Sequence, residues 1–331
     1  MDMVDLVNLR KSVRSFSDKT IEAEKLKSLR EFFKSCRHID DSIKTKTELV
    51  EKNSLPNDIS STAGYNGIMI EAPYYVIIFS ENKPYFVENA GYMGEDIILK
   101  LTEMGIDSCW ITLEQDYVFN NTKNDMNVCG LIAVGYGDNT GKKDVFNRIV
   151  YENGYKNLES KKLETDNKTR MDLIDIVYFN DYGNKSTMDR ILETGIQDGL
   201  FAAREAPSAL NRQPWRFIID GEYLVLVIKK DEYTSIYDAK IDAGAVMFNF
   251  ASVISERLFN VKWTMGSPNK KYNIPEDCVI VGYCGIWGFN KSAEFFRWLS
   301  WTKYFLKINK ARLCLCKQLK VMLAKQSFAY I

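Results

Sequence analysis

The sequence predicts an α+β fold built from two related halves, and three observations lead to this prediction. Segments 88–112 and 241–265 align without a gap at a constant offset of 153 residues, and each has the apolar spacing of a buried helix that leads into a strand. A further strand that ends in Gly-Tyr follows in both halves. An apolar strand precedes the helix in both, at residues 74–79 and 223–228.

The alignment of the two segments contains four identical pairs, which are Ala90 with Ala243, Gly91 with Gly244, Glu103 with Glu256 and Trp110 with Trp263. Two unrelated α/β segments could share such a pattern, but the ordered match of strand, helix and strand favours a duplication. We expect a first half over residues 1–182, a second half over 183–285 and an extension over 286–331. The polar stretch 180–186, with a glycine and two asparagines, suits a linker between the halves.

The charge of the chain is balanced overall and uneven along its length. The 331 residues carry no formal net charge, so nothing global indicates a nucleic-acid partner. The extension, however, has nine basic residues against one acidic residue, together with many aromatic residues. A basic, aromatic, amphipathic helix can lie on an anionic membrane. The alternatives are a helical arm packed on the acidic remainder of the chain and an unstructured extension.

Composition also predicts the compartment. The seven cysteines are scattered and odd in number, so a full disulfide framework is not expected. We expect no signal peptide, because the first residues include acids and no long apolar run. No apolar run approaches the roughly 18 to 20 residues that span a bilayer. The sequence therefore predicts a cytoplasmic protein, with peripheral membrane contact as an added alternative through the extension.

Two short segments carry the chemistry. Segment 206–217, with the sequence APSALNRQPWRF, places small residues, amide side chains and a rigid Pro-Trp pair between a helical pattern and a strand. Amides can bind the polar edge of a flat heterocycle, and small residues allow its close approach. Segment 10–16, with the sequence RKSVRSF, places two arginines beside a serine. Guanidinium groups suit a phosphate because their planar forks donate paired hydrogen bonds.

Both segments resemble motifs of the nitroreductase family, A-P-S-x-x-N-x-Q-P-W-R-F and R-[RHK]-S-x-R. This resemblance implies an α/β/α sandwich that binds FMN. Proteins of the family normally form homodimers that hold each FMN between subunits. The chain is similar to a subgroup, the TM nitroreductases, in which two such units are fused. Because each half carries only one of the two motifs, the resemblance implies a monomer that acts as an internal pseudo-dimer with one FMN between its halves.

The resemblance also implies which residues hold the FMN phosphate. The first motif contributes Arg10, Lys11, Ser12 and Arg14. Arg10 and Arg14 would face the same way if they were on one helix, because they are four residues apart. A second phosphate element is expected at residues 168–177, which resemble the family segment K-x-R-x-x-L-x-x-[IL]-V. Surface lysine pairs at 142–143 and 161–162 are competitors for this role. The residues expected from the second element are Lys168 and Arg170.

The flavin ring is expected against the other motif, at Pro207, Ser208, Ala209, Asn211 and Gln213. Segment 105–113 resembles the family pattern G-[LI]-x-[ST]-x-W, whose following backbone N–H meets the flavin. Here Thr112 and Leu113 replace the usual glycines, which makes close approach harder. Asn66 is a further candidate for the edge of the flavin.

The implied activity is hydride transfer from NADH or NADPH through FMN to a nitro compound, a quinone or a similar small acceptor. The flavin would carry the chemistry, so no catalytic side chain and no metal is expected. His38 is the single histidine, and its isolation argues against Ser-His-Asp and Cys-His schemes. The alternatives are a reductive dehalogenase or flavin-fragmenting enzyme of the same fold, and a flavin-binding or regulatory protein without turnover.

Overall fold

A computed structural model describes most of the chain. The described residues are 1–64, 68–120, 122–123, 125–138, 146–152, 155–161 and 170–286. Residues up to Ile286 form one compact unit. The basic extension lies outside the described residues, and its proposed membrane contact stays a prediction. Among the helices of the described part, none has the length and apolar composition that a membrane crossing requires.

The first half builds an antiparallel sheet in the order β1-β2-β5-β3, with the short β4 paired to β5. One irregularity in register interrupts the pairing of β2 with β5, after Ile78. A separate hairpin is formed by β6 and β7. These strands are β1 (Thr45–Glu51), β2 (Tyr74–Glu81), β3 (Asp107–Ile111), β4 (Thr122–Lys123), β5 (Met126–Gly135), β6 (Phe146–Glu152) and β7 (Tyr155–Lys161).

The second sheet repeats the first in order and direction. Its strands are β8 (Val177–Phe179), β9 (Trp215–Asp220), β10 (Tyr223–Lys229), β11 (Trp263–Met265) and β12 (Cys278–Gly285). The order β9-β10-β12-β11 matches β1-β2-β5-β3, and all of these neighbours are antiparallel. A register irregularity also lies between β10 and β12, after Leu226. The additional strand β8 pairs in parallel with β9 at the edge of this sheet.

Two long helices, α4 (Phe86–Glu103) and α9 (Ile236–Arg257), pack against each other between the sheets. Almost every residue in the middle of each helix is buried, including a few polar side chains among a majority of small and apolar ones. They approach closely at Gly91 and Gly244, the two glycines that the sequence alignment pairs. A side chain on Gly244 would collide with the backbone of α4 at Glu88 and Tyr92. The paired glycines therefore allow the two helix backbones to touch.

The shorter helices cover the sheets and connect the strands. They are α1 (Met3–Leu9), α2 (Ala23–Phe32), α3 (Asn57–Thr62), α5 (Gln115–Asn120), α6 (Leu173–Ile176), α7 (Met188–Glu193) and α8 (Gln197–Arg204). The expectation that Arg10 and Arg14 share a helix face is wrong, because α1 ends at Leu9 and Arg10 caps it. The chain then runs beside the first sheet, where Ser12 pairs with Ser108 of β3. Extended backbone separates the two arginines: one is buried and the other exposed.

Candidate functional site

A cavity of about 320 Å³ lies where both halves meet, which is within the size range of small-molecule sites. One wall comes from the first half, namely the segment after α1, Gly64, residues 68–71 and the end of β3. The facing wall comes from the loop before β9 and the first two turns of α9. The lining residues are Ser12, Arg14, Gly64, Ile68, Met69, Ile70, Glu71, Cys109, Trp110, Ile111, Thr112, Pro207, Ser208, Ala209, Leu210, Thr234, Tyr237, Asp238, Ile241 and Asp242.

The end of β3 is fixed to the opposite wall. The hydroxyl of Thr112 lines the cavity and donates a hydrogen bond of 2.5 Å to Asp238 of α9. The backbone carbonyl oxygen of Thr112 accepts a hydrogen bond from the amide of Gly64 at 2.8 Å. Leu113, in contrast, is 2% exposed and packs in the core of the first half. Of the two residues that replace glycines, Thr112 therefore reduces the space in the cavity, whereas the Leu113 side chain points away from it.

The loop before β9 is strained. Leu210, Asn211 and Gln213 have φ values of 52°, 55° and 48°, in the left-handed region that non-glycine residues rarely adopt. Side-chain contacts hold this backbone. Ser208 Oγ accepts from the amide of Gln213 at 3.0 Å, and the carboxyl group of Asp242 accepts from the amide of Ala209 at 3.1 and 3.2 Å. Strain of this kind persists only where surrounding contacts enforce it, and it is common at ligand sites.

Two arginines converge at the start of this loop. Arg10 donates to Ser12 Oγ at 3.2 Å and to the carbonyl oxygen of Glu205 at 3.3 Å. Arg170 donates to the same carbonyl oxygen at 3.0 Å and to Asn211 Oδ1 at 3.0 Å. Burial and then the charge of Arg10 lower the pKa of Arg170. Arg170 Nε also lies 3.4 Å from the Glu205 carboxylate. The two guanidinium groups therefore form an arginine cluster next to the cavity, and paired guanidinium donors suit a phosphate.

The family model described as "Putative TM nitroreductase" matches residues 2–253. The chain belongs to this family. A solved nitroreductase of Thermotoga maritima has 17% sequence identity and a TM-score of 0.50, and the match covers 86% of this chain and 94% of that chain. At this identity the likeness shows the fold, and it confirms the predicted nitroreductase-like α+β architecture. The search among curated proteins gave no match.

Two further solved structures match part of this nitroreductase-family chain. An FMN-dependent nitroreductase of Clostridium difficile has 21% identity and a TM-score of 0.33, over 40% of this chain and 86% of that chain. An iodotyrosine deiodinase bound to FMN and 3-iodo-L-tyrosine has 20% identity and a TM-score of 0.34, over 46% of this chain and 98% of that chain.

The structure brings many of the predicted site residues together. Six line the cavity, namely Ser12, Arg14, Thr112, Pro207, Ser208 and Ala209. Arg10 and Arg170 do not line the cavity, but Arg10 donates to the lining residue Ser12 and Arg170 donates to Asn211 in the loop before β9. Gln213 is buried and accepts from the amide of Met171 at 2.8 Å. Lys11 is exposed and Leu113 is in the core. Asn66 and Lys168 lie outside the described residues.

Of the acidic residues that line the cavity, the two on α9 were not predicted from the sequence. Asp238 forms a capping box with Ser235 at the start of α9, and Asp242 follows one turn later. The spacing of Ser235, Asp238 and Asp242 before a long apolar run could have indicated a helix start with two carboxyl groups on one face. Their position in the cavity depends on the packing of α9 against the first half, which local sequence does not specify.

A buried carboxyl group beside the arginine cluster predicts a pH dependence of stability. Glu95 of α4 is fully buried, with Arg10 Nε 3.7 Å from Oε1. Burial raises the pKa of Glu95 from 4.5 to about 7, and the charge of Arg10 offsets this only in part. Between these two values the folded protein retains a proton that the unfolded chain has released. The free energy of unfolding should therefore fall as the pH rises through this window.

Urea denaturation at a series of pH values tests this expectation. Glu95→Gln removes the titrating group, so its unfolding free energy should fall less than that of the wild type between about pH 5 and 7. Glu103→Gln is a matched control, because Glu103 is a partly exposed residue of the same helix, paired with Lys100. Parallel pH profiles for wild type and Glu95→Gln would contradict the assignment of this proton to Glu95.

Proposed function

We propose that the protein is an FMN-dependent oxidoreductase that binds its flavin in the cavity between the halves. The observation that carries this proposal is the convergence of Arg10 and Arg170 beside the strained loop that lines the cavity. An FMN phosphate carries about 1.5 to 2 negative charges near neutral pH, and this cluster offers the opposite charge. The Nε of Arg10 faces the buried Glu95 at 3.7 Å, so the terminal nitrogens of Arg10, which donate to Ser12 and Glu205, are the ones that would serve a phosphate.

In this proposal, different residues bind the phosphate and the ring of FMN. Arg10, Arg14 and Arg170 would bind the phosphate, with Ser12 as a neutral donor and Lys11 and Lys168 as further candidates. The loop 207–210 and the end of β3 at 110–112 would hold the ring, and the side chains of Asn211 and Gln213 keep the loop in its strained form. When bound, FMN supplies hydride transfer between NADH or NADPH and a small oxidised acceptor.

The two halves are, in this proposal, diverged copies of one unit. The matching sheet orders and the paired glycines at the contact of α4 and α9 support it. The counterpart of the loop before β9 is the segment around Ile39. Asn89 is aligned with Asp242, and it accepts a hydrogen bond from the Ile39 amide as Asp242 does from the Ala209 amide. None of residues 36–41 has a positive φ. Arg37 there is paired with Asp96 at 2.7 Å and stacks 4.4 Å from the ring centre of Phe248.

We therefore predict one FMN per chain. The purified protein should be yellow, and acid release followed by chromatography should yield FMN. Titration of apoprotein with FMN, followed by flavin fluorescence, should reach its end point at one equivalent, with the protein mass measured in parallel to exclude sites between chains. FAD in the extract, or no flavin after reconstitution, would contradict the cofactor. Two equivalents of equal affinity would contradict the single site.

A flavin-binding protein without turnover is the second candidate, favoured by the Thr112 side chain in the cavity. Its hydroxyl is tied to Asp238, where the family pattern has glycine and open space. Steady-state oxidation of NADH or NADPH with a quinone or a nitroarene separates the two candidates. An enzyme turns over with at least one pair, whereas a binding protein retains flavin and turns over with none.

A further inference from the structure

The carboxyl group of Asp242 is placed to act on a ligand of the cavity. Asp242 lies in the second turn of α9, is 4% exposed and lines the cavity. Its described contact is with the Ala209 amide, which donates to both carboxyl oxygens at 3.1 and 3.2 Å. A single N–H leaves most of the hydrogen-bonding capacity of a carboxyl group unused.

The other half of the chain shows that this loop contact needs no carboxyl group. Asn89 occupies the aligned position on α4, 153 residues earlier, and is 1% exposed. Its Oδ1 accepts from the amides of Ile39 at 2.8 Å and Asp40 at 3.3 Å, as Asp242 accepts from the amide of Ala209. Asn89 does not line the cavity. A carboxyl group therefore occupies the aligned position that faces the cavity, whereas a side-chain amide makes the loop contact at the position that does not.

Burial and the neighbouring charge of Asp238 favour the neutral form of Asp242. Asp238 lies one turn earlier on the same helix, and its carboxylate is bound by Thr112 and Ser235. Across the cavity stand Arg14 and the exposed Glu71. On α4, Glu88 is paired with Lys240 of α9. Burial and then the charge of Asp238 raise the pKa of Asp242 well above its ordinary value.

We propose that Asp242 binds the ligand of this cavity in its protonated form and donates a hydrogen bond to an acceptor atom of that ligand. The carboxyl group would thus keep the Ala209 amide as its donor and donate its own proton to the ligand. Ionisation would remove the donor and place a second negative charge beside Asp238, facing an anionic ligand. This inference rests on the proposed function, with FMN as the ligand.

The test measures the dissociation constant of FMN from the apoprotein by fluorescence between about pH 7 and 9, where the flavin phosphate stays largely ionised. Wild type should bind more weakly as the pH rises, approaching tenfold per pH unit above the pKa of Asp242. Asp242→Asn retains an acceptor for the Ala209 amide and a donor for the ligand, so its affinity should match wild type at pH 7 and stay constant.

Asp238→Asn keeps the test decisive if the wild-type carboxyl group titrates above this range. Removal of the neighbouring charge lowers the pKa of Asp242, so the loss of affinity should begin at a lower pH than in wild type. The double variant Asp238→Asn/Asp242→Asn should again show constant affinity. Asn89→Asp is the matched control, because it adds a carboxyl group at the aligned position outside the cavity lining and should keep the wild-type profile.

Constant affinity across the range in both wild type and Asp238→Asn would overturn the role of Asp242. A large loss of affinity in Asp242→Asn at pH 7 would also overturn it, because the neutral donor would then not suffice. These outcomes differ from a failure of the proposed function, in which FMN binds to no variant at any pH.

Discussion

Gly244→Ala is expected to destabilise the protein by about 3 kcal/mol, at the upper end of the usual cost of overpacking. A Cβ atom at this position would overlap the carbonyl oxygen of Glu88 and lie 2.5 Å from the amide nitrogen of Tyr92. Both are backbone atoms of α4, so no side chain can rotate to make room. Relief of the overlap requires α4 and α9 to separate, which opens gaps in the apolar contacts on both sides of the crossing.

Helix propensity alone would predict the opposite sign, a gain in stability. Alanine favours a helix interior over glycine by about 1 kcal/mol, so a net loss must come from the crossing itself. Gly130→Ala, in strand β5, is the control for added volume, because the atoms nearest to its Cβ would belong to the Ile78 side chain, at 3.2 Å or more. Urea denaturation should show a much smaller change for Gly130→Ala. Equal stability of the two variants would contradict the close contact of α4 and α9.

The variant Gly91→Ala tests the same contact from the other side. Its Cβ would overlap the backbone of α9 at Ile241. Because either substitution alone separates the helices, the second should cost less in the presence of the first. A double variant whose loss equals the sum of the single losses would show that the two glycines act at independent places.

The secondary structure and the fold class were predictable because the two halves repeat one pattern. The apolar spacing of the two long helices and the strands before and after them led to the observed elements, and the alignment paired the two glycines that meet at the crossing. Strand β8 was harder to place. It comes from residues assigned to the first half, yet it pairs with β9 of the second sheet. The short apolar run of β8 contains no information about its partner.

The motifs indicated residues that gather at the cavity, but the contacts between these residues were not predictable. Motif resemblance indicated Arg10 and Arg170, but their shared contact with the carbonyl oxygen of Glu205 joins residues 160 positions apart. The left-handed φ of Leu210 was also unpredictable, since leucine rarely adopts it. A role for Asp242 was not predicted, because it becomes evident only when the loop contact of Asp242 is compared with that of Asn89 in the structure.

Arg170→Ala is expected to weaken FMN binding about 30-fold, which corresponds to about 2 kcal/mol, the scale of a hydrogen bond to a charged group. Arg10→Ala should cause a similar loss, but it also leaves Glu95 buried without its nearby cation. Arg10→Ala is therefore best compared with Glu95→Gln and with the double variant Arg10→Ala/Glu95→Gln. A loss of FMN affinity that persists in the double variant is caused by the missing guanidinium group. A loss that disappears in the double variant is caused by the unpaired carboxyl group of Glu95.

Arg204→Ala is the control for both arginines. Arg204 also binds Glu205, through Nε at 3.2 Å and a terminal nitrogen at 3.0 Å from the carboxylate, but it does not line the cavity. Its loss should leave the dissociation constant of FMN within about twofold of wild type, since it removes a cation from Glu205 without removing one from the cluster. Fluorescence titration of the apoproteins measures all of these affinities. Wild-type affinity in Arg170→Ala would exclude Arg170 from the phosphate site. An equal loss of affinity in Arg204→Ala would show that the arginines act by binding Glu205 and not by binding the phosphate.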